Sequence, residues 1–208
     1  SAVISNLVNP LTHQWNFDIQ RELPGNFILT AAYVGTRGER LFVNDQLNPG
    51  IDFVRLNPNR GSISTRTNAG DSIYHGFNLK VDRRFSKGLL LRGAYTWSRL
   101  IDDGSEVFVT TGESSFPQDP FNRRADRGLS AFDRRQRLVL SYVYDLPGLK
   151  RTGNTAMSAL SYAFSDWQIS GTTSFQSGAP NTVTAGFDID GDLIGGNDRP
   201  MLGNPSAP

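Results

Sequence analysis

The chain has 208 residues, 20% of them charged, with a formal net charge of +1 and no cysteine. That balance gives no reason to expect a nucleic-acid partner, and the missing thiols remove disulfide and thiolate chemistry. A mean hydropathy of −0.37 with no apolar run near twenty residues excludes a transmembrane helix, yet suits strands with one oily face and one wet face.

Six stretches of about ten residues alternate apolar and polar side chains, the period of a strand with two unlike faces. Ten or so residues is also the length of a tilted strand that crosses a bilayer. In His13 to Leu23, Trp15, Phe17 and Ile19 share one face, with Asn16, Asp18 and Gln20 opposite. Pro24-Gly25-Asn26 reads as a tight turn, and Phe27 to Gly35 returns. A long loop, 36–71, is rich in Asn, Gly, Pro and Arg. Ser72 to Arg83 places Phe77, Leu79 and Val81 against Asn78, Lys80 and Asp82. A short turn at RFSKG leads into Leu89 to Ser98, with Leu91, Tyr95 and Trp97 on one side and Arg92, Thr96 and Ser98 on the other. After a second long loop, 99–135, come Gln136 to Leu146 and, past a looser connection, Asp166 to Gln176.

The reading is an all-β, antiparallel up-and-down meander of about six long strands, a segment of a transmembrane β-barrel. Its strands lie near 13–23, 27–35, 72–83, 89–98, 136–146 and 166–176. Long loops at 36–71, 99–135 and 177–208 fall on one side and short turns on the other, the habit of outer-membrane barrels. With the short turns at the bottom, Trp15, Tyr95 and Trp97 gather at the top, and Tyr142, Tyr144 and Trp167 at the bottom. Two aromatic levels with aliphatic residues between them match a membrane girdle, and outer-membrane lipid is the expected surrounding. On the opposite face Lys80, Asp82, Arg92 and Gln168 are expected to line the lumen.

The sharpest constellation outside the strands is FDIDGDLIGGND, residues 187–198. Asp188, Asp190 and Asp192 at alternate positions, with Gly191 permitting a bend, can aim three carboxylates at one hard cation, as calcium loops do. Leu193 stands where an EF-hand has glycine and Arg199 where it has its bidentate Glu, so Asn197 and Asp198 would complete a different shell. Calcium is the one cofactor the residues suggest. Arg123, Arg124, Arg127, Arg134, Arg135 and Arg137 are interleaved with Asp119, Asp126 and Asp133, which favours internal ion pairs over a phosphate-binding stripe. His13 and His75, the only histidines, belong to no catalytic order, and no enzyme activity is expected.

An ordered set of phrases resembles the barrel of TonB-dependent outer-membrane receptors, especially their Oar-like branch. These are QWNFDIQREL (14–23), AAYVGTRGERL (31–41), YHGFNLKVDRRFSKGLLLRGAYTWSRLIDD (74–103), FDRRQRLVLSYVYDLP (132–147), WQISGTTSFQSGAP (167–180) and NDRP (197–200). The resemblance implies a twenty-two-stranded barrel filled by a plug and opened by an inner-membrane energy-coupling protein, for uptake of a bulky substrate. No plug or coupling box is read here, and six strands fall short of the about eight that close the smallest membrane barrel. The expectation is therefore an internal piece of such a barrel, at the bacterial outer membrane or cell surface. Two alternatives remain: a self-assembling extracellular filament protein that pairs its free strand edges into a homo-oligomer, and a soluble β-sandwich binding module.

Overall fold

The computed structural model describes residues 2–3, 6–108, 115–148, 165 and 167–200. Its strands are β1 (Ala2–Val3), β2 (Leu11–Leu23), β3 (Phe27–Gln46), β4 (Gly50–Ile51), β5 (Val54–Arg55), β6 (Ser64–Ser86), β7 (Leu89–Asp102), β8 (Gly128–Leu129), β9 (Gln136–Asp145) and β10 (Gln168–Gln176). No α-helix occurs among the described residues, and Arg123–Asp126 forms a short 3₁₀ turn. Six long strands make one sheet in the order β10-β9-β7-β6-β3-β2, every neighbouring pair antiparallel. Ala2–Val3 adds a short parallel pairing to β6, and β8 caps β7.

The lower turns follow from local chemistry. Ser86 pairs with Leu89, leaving Lys87 (φ 51°) and Gly88 (φ 74°) as a two-residue turn with both centres left-handed. That conformation matches the twist of the flanking strands, and glycine adopts it without a Cβ penalty. Gly25 (φ 85°) and Asn26 (φ 62°) close the other lower turn in the same region.

Apart from a shift between Arg83 and Ser86 beside the lower turn, pairing keeps one register up to Gly38 and Ser72, so one face can be followed across all six strands. Phe17 lies opposite Tyr33, Tyr33 opposite Phe77, and Phe77 opposite Trp97, four aromatic rings side by side. Below them Ile19, Ala31, Leu79, Tyr95, Leu138 and Phe175 form the next row, and Leu140 faces Gly93 and Thr173. Directly opposed side chains of this kind stabilise a sheet by about 0.2–1 kcal/mol per pair. No second layer covers this face among the described residues. Phe17 is 65% and Ile169 51% exposed, which removes the β-sandwich alternative, since its inner faces would be dry.

Two spans differ from the sequence reading. The loop expected at 36–71 is mostly sheet: β3 continues to Gln46 and β6 begins at Ser64, leaving 47–63 with the small β4–β5 hairpin. Likewise β7 runs on to Asp102, past the expected end at 98. Apolar alternation stops near Gly35 because both faces are wet above that level, while the backbone ladder needs no oily side chains to continue. Gly38 pairs with Ser72, Leu41 with Gly70 and Val43 with Thr67. An extra residue on β3, with Arg40 left-handed at φ 57°, is thus offset by an extra residue on β6, and the original register returns. The connection expected at 147–165, the strand start at Asp166 and the end of the 177–208 loop fall largely outside the described residues.

Candidate functional site

The wet face of the sheet carries the residues expected to line a passage. Asp82 pairs with Arg92 across β6 and β7, with Arg92 Nε 3.5 Å from Asp82 Oδ1. Lys80 is opposite Ala94 on the same face, and Gln168 donates to Asp145 Oδ1 at 2.7 Å. Thr96 donates to Asn78 Oδ1 at 2.7 Å, and Ser141 and Thr172 hydroxyls stand 3.2 Å apart. Lys80, Asp82, Arg92 and Gln168 therefore share one polar face, opposite the aromatics.

The aromatic residues share the other face at distinct heights. Trp15 and Trp97 belong to its upper rows, and Tyr95 sits one row below Trp97. Tyr142 is opposite Leu91 and Gly171, Tyr144 opposite Leu89 and Ile169, and Trp167 lies just before β10. Gln136, paired with Trp97, is separated from the Trp167 level by the ten residues of β9. At ~3.3 Å per residue and a tilt of about 40° that span is roughly 25 Å, the height of an outer-membrane apolar band. Two glycines make room for aromatic side chains: the Trp15 indole lies where a Gly35 Cβ would sit, and the Tyr142 hydroxyl comes within 2.9 Å of the corresponding point at Gly171. At the upper edge the Tyr33 hydroxyl meets His75 Nδ1 at 2.7 Å, with Trp15 edge-on to the imidazole.

The most buried side chains lie above this band, where the upper segments pack into a hydrogen-bonded cap. Asn48, 2% exposed, donates to the carbonyls of Asn57, Arg60 and Gly61 and accepts from Asn57 N at 2.7 Å. Gln46 holds the base of the same loop through Ile63 N and Ser62 Oγ. Asp133 accepts from Leu100 N at 2.7 Å, and Ser130 N donates to Leu100 O, which clamps the 130–135 segment to β7. Of the arginine cluster, Arg123 pairs with Asp45 at 3.7 Å and Arg135 with Asp133 at 3.6 Å, while Arg199 reaches Asp126 and Gln118 Oε1. Burial raises the Asp126 carboxyl above its ordinary range, against the pull of Gln118 N and Arg199. A cleft of about 350 Å³ opens in this cap, lined in part by Asp102, Asp103, Glu106, Arg123, Asp126 and Arg199.

The acidic loop is part of the cap. Asp188 accepts from Gly191 N and Leu193 N, Asp190 from Asp192 N, and Asp192 from Ile194 N and Asn197 Nδ2. Asn197 presents its amide nitrogen, not its oxygen, to this cluster, and also donates to Pro117 O at 2.8 Å. Asp198 is almost fully buried and accepts from Ile189 N. Burial pushes Asp192 up to about 6 and raises Asp190, with the neighbouring carboxylates adding to both. The loop is seated on the β4–β5 hairpin: Gly50 N donates to Asp192 O and Phe53 N to Gly191 O, so closely that a Cβ at Gly50 would lie 2.5 Å from Gly191 O.

Sequence reasoning missed Gln46, Asn48 and Ser130 as organisers of the cap, and gave Asp133 only as an ion-pair partner, not as the acceptor that clamps Leu100 N. The only signals were the turn-forming Asn48-Pro49-Gly50 and the phrase FDRR at 132–135.

Residues 1–208 match the family described as an outer membrane beta barrel domain. The chain belongs to that family. No curated protein and no solved structure gave a match. Membership fixes what the exposed apolar face meets: in an outer-membrane barrel the hydrocarbon of the bilayer covers it, and the polar face turns inward. The protein is located in the bacterial outer membrane, and its sheet is a segment of that barrel wall.

Proposed function

We propose that this wall segment belongs to a TonB-dependent receptor of the Oar-like branch, which takes up a bulky substrate with energy supplied from the inner membrane. The observation that carries the reading is the ordered set of matching phrases distributed over strands and cap alike: YHGFNLKVDRRFSKG on β6 and its turn, FDRR in the Asp133 clamp, NDRP at Asn197 to Pro200. The acidic cleft between Asp102, Asp126 and Arg199 stands where an arriving substrate makes first contact, since recognition resides on loops carried by a rigid scaffold. Lys80, Asp82, Arg92 and Gln168 line the passage behind it, and the coupling protein acts on a plug within the same barrel.

The test is genetic and uses whole cells. Deleting the receptor and inactivating the energy-coupling protein abolish uptake of the same compound, each to the same extent. A receptor deletion whose transport defect is not reproduced by loss of the coupling protein refutes energy-coupled uptake.

One observation favours a second reading. Among the described residues β2 and β10 each pair on one side only, and such edges recruit further strands. Copies of the chain joined edge to edge would build a filament or ring, which electron microscopy of the purified protein distinguishes from a closed barrel.

A further inference from the structure

We propose that the 187–198 loop binds one calcium ion between Asp188, Asp190 and Asp192, with Asp198 as the flanking fourth carboxylate, and that the ion fastens this loop onto the β4–β5 hairpin. This goes beyond the uptake reading and does not depend on it.

Geometry comes first. One carboxylate oxygen from each of Asp188, Asp190 and Asp192 lies within 4.8 Å of the others. Oxygens that share a calcium at about 2.4 Å stand no further apart than about 4.8 Å, so the three are already within the span of one ion. Backbone N–H groups fix the carboxylates from outside, and Asp190 keeps Oδ2 without a donor among the described residues.

The second observation is independent of the cluster's shape. Asp198 is 1% exposed, its Oδ2 accepts from Ile189 N at 2.7 Å, and its Oδ1 has no hydrogen-bond partner. Ile189 lies between Asp188 and Asp190, so the Asp198 carboxylate is held beside the cluster, outside the trio whose oxygens lie within 4.8 Å. A buried carboxylate oxygen with no donor is costly unless a cation lies beside it. No side chain supplies that cation: among the described residues none of the four carboxylates is in an ion pair, and Arg199 is turned to Asp126 and Gln118.

The donor set selects the ion. All the side-chain ligands are hard oxygens, with no histidine or cysteine, which suits calcium or magnesium over transition metals. Several carboxylates carried on one bent loop suit calcium's larger and more flexible oxygen shell, whereas magnesium demands a near-ideal octahedron and keeps several of its waters. Since Gly50 N and Phe53 N hold the backbone of Asp192 and Gly191, an ion that stiffens the loop stiffens its seat on the hairpin as well.

The experiment is calorimetric titration of calcium chloride into the metal-free barrel protein in detergent micelles, with circular dichroism confirming the β-fold. One saturable site is expected, with magnesium binding at least tenfold more weakly. Asp190→Asn keeps an acceptor for Asp192 N–H but removes a charge, and should weaken calcium at least tenfold; Asp198→Asn should do likewise. Calcium should also slow proteolytic cutting between residues 185 and 200. A folded protein that shows no saturable calcium binding, or an unchanged affinity in both variants, overturns the proposal.

Discussion

Leu140 provides a direct measurement of which face meets lipid. It lies four residues from Gln136, which pairs with Trp97 of the upper aromatic row, and four from Tyr144 of the lower one, so it sits at the mid-height of the band. Its neighbour Ser141 points to the polar face, opposite Thr172. Arginine at the mid-plane of an outer-membrane barrel's lipid face costs about 2–4 kcal/mol. Leu140→Arg should therefore lower the folded-to-unfolded ratio of the barrel roughly a hundredfold, taking about 3 kcal/mol and 1.4 kcal/mol per decade. Ser141→Arg gives up one exposed hydroxyl contact and should cost no more than about 1 kcal/mol. The assay is urea unfolding of the full barrel protein in lipid vesicles, followed by tryptophan fluorescence and by the heat-dependent shift in gel mobility. Equal costs for the two variants, or a larger cost for Ser141→Arg, would refute the assignment of faces.

Asn48→Ala leaves the Asn57 amide and the carbonyls of Asn57, Arg60 and Gly61 without their buried partner, and should destabilise the 47–63 loop by about 3 kcal/mol. Hydrogen exchange should accelerate in that loop and remain unchanged in β9 and β10. Gly35→Val places side-chain atoms where the Trp15 indole lies, so the ring must leave β3, and a shift in tryptophan emission should report it. Arg92→Ala removes a pair whose side chains are 71% and 47% exposed, and should alter stability by less than about 0.5 kcal/mol while changing the ion selectivity of any conductance. Gly88→Ala forces a Cβ into a left-handed turn at φ 74° and should cost about 1 kcal/mol in the same urea assay.

The strands were legible because lipid on one side and water on the other impose a two-residue period that local sequence must carry. Trp15, Phe17 and Ile19 announce β2, and its partner strands follow in the same register. The extension of β3 through Thr36 to Gln46 was not legible, since a strand wet on both faces has no such period and its glycine, arginine and asparagine read as loop. The cap was less legible still. Asn48 and Asp133 are buried polar residues whose role depends on backbone groups 9 to 33 residues away, and the adjacent Pro49-Gly50 and the FDRR phrase mark a local turn and charge, not that dependence. Asp188, Asp190 and Asp192 were visible as a cluster because their spacing is local, whereas the seating of their loop on Gly50 and Phe53 joins segments far apart in the chain.

The long upper reaches of β3 and β6 set the cap apart from the bilayer. From Gly35 to Gln46 the ladder climbs eleven further residues, roughly 28 Å in height at ~3.3 Å per residue and a tilt of about 40°. Anything arriving from outside meets the cap built around Asn48, Asp126 and Asp192 well before any hydrocarbon. Cap and membrane-facing rows are joined through the continuous backbone ladders of β3 and β6, so the outer surface is built on strands that also anchor the wall.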